Sequence, residues 1–246
     1  MVKIPMDADI LPPSDDHIFK AILTHPDAEA ALINLTSAVL ERPVTSVQIR
    51  NNELPITDDD EKMERLDINC VVDGGDQVNV EMQASRRVEL TDDEYKSFMN
   101  KGIYYLTDLH SSQKSKGVRY RDFVRTYQVT FCVHPVFPTW PEFVNRISLR
   151  RTTGEQVSDQ INMVIVEMSK LSDALKRSAD SFTPLELWSV FFGFAPDLEH
   201  RDLINNVINQ NKEIGMAATL LMEISQDEHE RARLRSRRMY ETDMYS

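Results

Sequence analysis

Apolar and polar residues alternate most strictly between positions 66 and 83. Leu66, Ile68, Cys70 and Val72 are interleaved with Asp67, Asn69, Val71 and Asp73; after Gly74-Gly75, Val78, Val80 and Met82 are interleaved with Asn79, Glu81 and Gln83. A period of two marks a half-buried strand, and two such runs around glycines predict an antiparallel hairpin. The loop length then decides which residues face each other. A two-residue loop, Gly74-Gly75, would set Leu66 against Gln83 and Ile68 against Glu81, so every apolar residue would oppose a polar one, which a buried face forbids. A three-residue loop, Asp73 to Gly75, pairs Leu66 with Met82, Ile68 with Val80 and Cys70 with Val78, and sets Asp67 opposite Glu81. The other odd loop, Gly74 to Asp76, makes Asp67 and Glu81 diagonal neighbours. Either odd loop puts two carboxylates on one face, where like charges repel unless something compensates. A divalent cation with oxygen ligands would do so. The same spacing also fits two acids on the solvent face of an edge hairpin.

Elsewhere the pattern is helical or strand-like in turn. Ser14, followed by Asp15 and Asp16, reads as an N-cap for a helix through His17 to Leu23. His17 itself reads as a helix-surface residue. A second helix is expected over about Asp27 to Leu40 with Ala31, Leu32, Leu35 and Val39 inward. Val44 to Asn51 alternates like a strand, and Asp58 to Glu61 is an acidic loop. Thr91 to Glu94 has capping-box spacing and opens a helix whose apolar face would be Tyr95, Phe98, Met99, Tyr105, Leu106 and Leu109. Tyr127 to Val133 is a further buried strand, so a strand–helix–strand crossover into one sheet follows. Arg146–Arg150 and Ile161–Glu167 flank a turn at Thr153-Gly154-Glu155. From Pro184 onward the chain is helical, ending in a polar helix that starts near Ser225. The expected fold class is α/β (α+β): a mixed sheet flanked by helices with a helical C-terminal part.

The 246-residue composition, 41% apolar and 28% charged, is that of an ordinary globular protein. Cys70 and Cys132 fall in apolar runs and read as reduced core residues. No signal-peptide pattern and no apolar stretch long enough for a bilayer is present, so a cytoplasmic protein without membrane contact is expected. A net charge of −12 argues against a protein that coats nucleic acid. The charge is uneven, however: Lys96, Lys101, Lys114, Lys116, Arg119, Arg121 and Arg125 meet only Asp108 and Asp122 in the same stretch. Five arginines between Arg231 and Arg238 read as balancing Glu223, Asp227, Glu228 and Glu230 along the last helix. Phosphate-binding glycine loops and zinc spacings are missing, and no Ser/His/Asp set stands out.

Arg65-Leu66-Asp67-Ile68 followed by Val78-Asn79-Val80-Glu81-Met82-Gln83 resembles the Asp…Glu-x-Gln hairpin of the Rpn family, recombination-promoting nucleases also described as PD-(D/E)XK putative transposases. Ser14-Asp15-Asp16 before Phe19-Lys20, Asn52-Glu53-Leu54, Tyr104-Tyr105 leading to Ser112-Gln113, Gly117 with Tyr120, and the Thr153-Gly154 turn follow in family order. The resemblance covers about residues 10 to 170, implying a restriction-endonuclease-like nuclease domain there and a helical extension over 171–246. It implies Asp67 and Glu81 as metal ligands with the Met82 carbonyl, and Asp16, ahead of Asp15, as a further candidate acid; for both, plain helix capping remains open. Mg²⁺ or another divalent cation is the implied cofactor, and DNA the implied partner; self-association is left open. Catalytic roles fall to Asp67, Glu81 and Gln83, with Gln83 where the superfamily usually carries lysine. That departure removes a positive charge and leaves open a non-catalytic nucleic-acid-binding or assembly protein on the nuclease fold. Lys114, Lys116, Arg119 and Arg121 are expected to hold backbone phosphates.

Overall fold

The computed structural model describes residues 2–50, 67–84 and 90–244. Six strands, β1 (Val47–Ile49), β2 (Ile68–Val72), β3 (Gln77–Gln83), β4 (Thr126–Cys132), β5 (Val144–Arg150) and β6 (Gln156–Glu167), form one sheet in the order β1-β2-β3-β4-β6-β5. The β3, β4 and β6 pairings are parallel and the outer ones antiparallel. The sheet is therefore mixed, as expected. The strand proposed for Val44 to Asn51 is shorter, β1 covering three residues, and the acidic loop at Asp58–Glu61 lies outside the described residues.

Helices cover the two faces unequally. On one face α1 (Asp16–Leu23), α2 (Glu29–Leu40), α4 (Pro184–Phe194) and α6 (Lys212–Gln226) bury Phe19, Leu32, Trp188, Phe191 and Phe192 against Ile68, Val80, Val129 and Val166. This one apolar cluster draws on residues from both sides of position 170. Among the described residues the opposite face carries the single helix α3 (Asp92–Ser111), which starts with the expected Thr91–Glu94 capping box and joins β3 to its parallel neighbour β4. Under α3 the apolar cluster is small: Leu106, Cys132, Val136, Phe137, Met163 and Ile165. Both cysteines are buried and unbridged.

Two local expectations change. The N-cap of α1 is Asp15, not Ser14: its carboxylate accepts from the His17 and Ile18 amides, so the helix begins one residue later. The last helix, α7 (Glu228–Met244), does not use Arg231 to balance acids along its own length. Arg231 reaches across to Asp9, with 2.6 Å between Nη1 and Oδ2, and to the Ser225 carbonyl. His17 is a contact residue between helices, its Nε2 lying 3.0 Å from Glu230 and 2.9 Å from Arg233. Between α4 and α6, α5 (Arg201–Gln210) fastens the N-terminal segment: Asn205 exchanges hydrogen bonds with the Ile4 backbone at 2.8 and 3.0 Å.

Candidate active site

The hairpin has the three-residue loop. Ile68 pairs with Val80, Asn69 with Asn79 and Cys70 with Val78, and Asp73–Gly75 form a 3-10 turn that closes with Gly75 at φ +93°. That left-handed conformation is one glycine adopts without strain. Ile68 and Val80 enter the large core. The alternation therefore turns Asp67, Asn79, Glu81 and Gln83 to the other face, beneath α3.

That face is polar where β3 and β4 adjoin. Asn79, Glu81, Gln128 and Thr130 are all buried there. Buried polar groups need partners, and these partly supply one another: Asn79 Nδ2 donates to Glu81 Oε1 at 3.1 Å and to Gln128 Oε1 at 2.8 Å, while Asn79 Oδ1 has no partner among the described residues. The chain of amides fixes the orientation of the Glu81 carboxylate from below. From above, Lys101 of α3 brings Nζ to 3.3 Å from Glu81 Oε2. Asp67 is held from the side, its Oδ2 accepting from the Met82 amide at 3.1 Å. Since the N–H and C=O of a strand residue point to the same edge, the Met82 carbonyl lies on the Asp67 side of β3.

Both carboxylates are pushed above their ordinary pKa values. For Asp67 the main cause is burial, opposed by the Met82 hydrogen bond and reinforced by the charge of Asp16; Lys101 and Lys20 pull the other way. For Glu81 burial again leads, countered by Lys101, reinforced by Asp67 and countered further by Asn79. Asp16 thus acts on Asp67 through its charge, from the first turn of α1, while Asp15 is occupied as the cap. Gln83 lies on the same face, half-buried, two residues beyond Glu81.

The four basic residues expected to hold phosphates lie elsewhere. They follow the C-terminus of α3, at the end of the sheet where β3 and β4 begin; the Gln77 amide bonds the Arg125 carbonyl there. Four residues of strand, about 13 Å, separate Gln77 from Glu81. Arg119 and Arg121 both pair with Asp122, at 2.8 and 3.8 Å.

Lys101, Asn79 and Gln128 were not singled out from the sequence as site residues. A signal for Lys101 was available: it stands four residues before Tyr105 on a helix whose Tyr105 is buried, so the two share a face. Its Nζ lies 5.1 Å from the Tyr105 ring centre. Asn79 and Gln128 were legible only as polar residues on strands.

The donor set is all oxygen: two carboxylates and a main-chain carbonyl. Among the described residues no three side chains of His, Cys, Asp and Glu converge as a metal cluster. A half-buried and a buried carboxylate, with Asp16 raising the pKa of Asp67 and Asp67 that of Glu81, nevertheless fit a hard divalent cation, which would relieve that repulsion.

A family profile described as PD-(D/E)XK nuclease family transposase matches residues 13–246. No curated protein and no solved structure gives a significant match. The mixed six-stranded sheet, flanked by helices and followed by a helical part, is consistent with the PD-(D/E)XK fold.

Proposed function

The chain belongs to the PD-(D/E)XK nuclease family transposases, and from that premise we propose that it is a metal-dependent endonuclease hydrolysing phosphodiester bonds in DNA, in recombination or the movement of mobile elements. The observation that carries the reading is the Asp67–Glu81 pair on one sheet face, Asp67 half-buried and Glu81 buried, with Lys101 beside it.

A divalent cation held by Asp67, Glu81 and the Met82 carbonyl would acidify a water and neutralise charge on the phosphoryl group. The chain's own residues do the rest. The Met82 amide and the Asn79–Gln128 pair keep the two carboxylates oriented, as supporting shells do in metal sites. Lys101 supplies the positive charge that Gln83 cannot. Its side chain is half exposed, so it can leave Glu81 for a phosphate oxygen. Gln83 can orient a water through its amide.

Supercoiled plasmid should be nicked by the purified protein in Mg²⁺ and left intact in EDTA. Asp67→Ala should abolish nicking without unfolding the chain. Lys101→Met should slow it by roughly 10²-fold, the scale of removing one charge-stabilising donor, and adding Gln83→Lys should restore part of the rate. Wild type that never nicks in Mg²⁺, or Asp67→Ala that nicks as well as wild type, would sink the reading. The protein would then be a nucleic-acid-binding member that has kept the fold, a reading favoured by the Lys101–Glu81 pair, which already neutralises one carboxylate. Running an RNA substrate alongside decides which nucleic acid is cut.

A further inference from the structure

Beyond the C-terminus of α3 the chain folds into a small aromatic cleft. It has a volume of about 360 Å³ and is lined by His110, Ser111, Lys114, Tyr120, Phe123 and Gln160. That is the small end of the range for ligand pockets, of a size for one planar group. Three rings meet there. Phe123 has His110 at 5.5 Å and Tyr120 at 5.6 Å between ring centres. Tyr120 is not packed away: it is 73% exposed, the most exposed large hydrophobic side chain among the described residues. Lys114 steadies its outer edge, with Nζ 2.8 Å from the phenol oxygen and 5.1 Å from the ring centre.

The surroundings are cationic. Between positions 114 and 125 five basic residues, Lys114, Lys116, Arg119, Arg121 and Arg125, meet one acid, Asp122; Arg125 is drawn off by Asp159. One residue of the lining carries an unmet acceptor. Gln160 is only half-buried, but its amide oxygen is turned inward without a hydrogen-bond partner. A buried acceptor left unpaired is costly, so a ligand carrying N–H groups would draw it out.

We propose that this cleft is a subsite for one unpaired nucleobase of a DNA strand. The base stacks on Tyr120 and offers an N–H to Gln160, while the adjoining phosphates lie against Lys114, Arg119 and Arg121. An exposed ring, a cationic rim and a hydrogen-bonding wall make the combination by which proteins hold single strands. The subsite rests on the nucleic-acid reading above but not on catalysis. With about 13 Å of strand between Gln77 and Glu81, it engages a nucleotide away from the bond to be cut.

The test uses the full chain in EDTA, with a fluorescein-labelled single-stranded oligonucleotide and a duplex of equal length. Tyr120→Ala should weaken single-strand binding roughly 5- to 100-fold, the worth of one stacked base, and leave duplex binding unchanged. Tyr120→Phe should bind the single strand about as wild type does. A 2-aminopurine in the strand should be quenched by wild type and by Tyr120→Phe, and not by Tyr120→Ala. Tyr120 is exposed, so matching melting temperatures will show the variants folded. Equal single-strand affinity in Tyr120→Ala, parallel losses on both substrates, or wild type that binds no single strand each overturns the subsite. Plasmid nicking decides the nuclease reading separately. A protein that nicks but fails here loses only the subsite, and one that passes here but never nicks loses only the catalytic role.

Discussion

Asp67 and Glu81 are acids kept where the neutral form is favoured. Their folded-state pKa values lie above the unfolded ones, chiefly through burial. Ionisation therefore subtracts stability as the pH rises through the raised value, and the subtraction is absent below the unfolded value of about 3.9 for aspartate. Asp67→Asn keeps an oxygen for the Met82 amide and carries no charge. In EDTA its melting temperature at pH 7 should exceed that of wild type, and the gap should close as the pH falls towards 4. Adding Mg²⁺ should raise wild type and leave the variant unmoved, because only a state that binds the ion is stabilised by it. A variant melting below wild type in EDTA at pH 7 would show that the carboxylates are compensated by something other than a cation. At this scale the alternation of single residues announced the two acids, since period two fixes the face of every side chain. Lys101 and Gln128 were harder to read because they reach Glu81 or its amide partner Asn79 from other elements, and a strand pattern says nothing about what lies on top of it.

The hairpin is the element that brings the acids together, and its register hangs on one turn. Gly75 sits at φ +93° with only a Val124 methyl near the position of an added Cβ. Gly75→Ala therefore meets backbone strain and little crowding, and should cost about 1–2 kcal/mol, seen as a melting temperature lower by several degrees. An unchanged melting temperature would mean that the loop relaxes without disturbing the pairing. The register was legible because only an odd loop keeps Ile68, Cys70, Val78 and Val80 on one face. Helix α3 was legible in position but less so in burial. Tyr105, Leu106 and Leu109 are buried as expected, whereas Tyr95 is 37% exposed and Phe98 and Met99 are only partly covered. The apolar cluster under α3 is too small to cover the whole face, since β3 and β4 present Asn79, Glu81, Gln128 and Thr130 on that side.

Across the whole molecule, charge is separated from chemistry. The basic segment after α3 and the carboxylate pair stand at opposite ends of β3. Changing Lys114, Lys116, Arg119 and Arg121 together to glutamine should weaken DNA binding and flatten its salt dependence by about 0.9 in log–log slope for each phosphate no longer neutralised. The nicking rate at saturating DNA should hold. An unchanged salt slope would make the segment a bystander; a collapsed saturated rate would place it at the scissile phosphate. How the chain's two ends meet could not be read from the sequence, because those contacts span more than 200 residues. Ile4 is buried and tied to Asn205, the Leu11 amide bonds Ser225 Oγ at 3.0 Å, and Asp9 is gripped by Arg231. Helix α1, which carries Asp16, packs against α6, α2 and β3. At a synthesis rate of about 5–20 residues per second, Arg231 leaves the ribosome on the order of ten seconds or more after Asp9. During that interval the grip of Arg231 on Asp9 does not yet exist, although α1 can already pack against α2 and β3. The N-terminal segment is thus fastened late: its partners on α5, α6 and α7 are the last of the described helices to be translated.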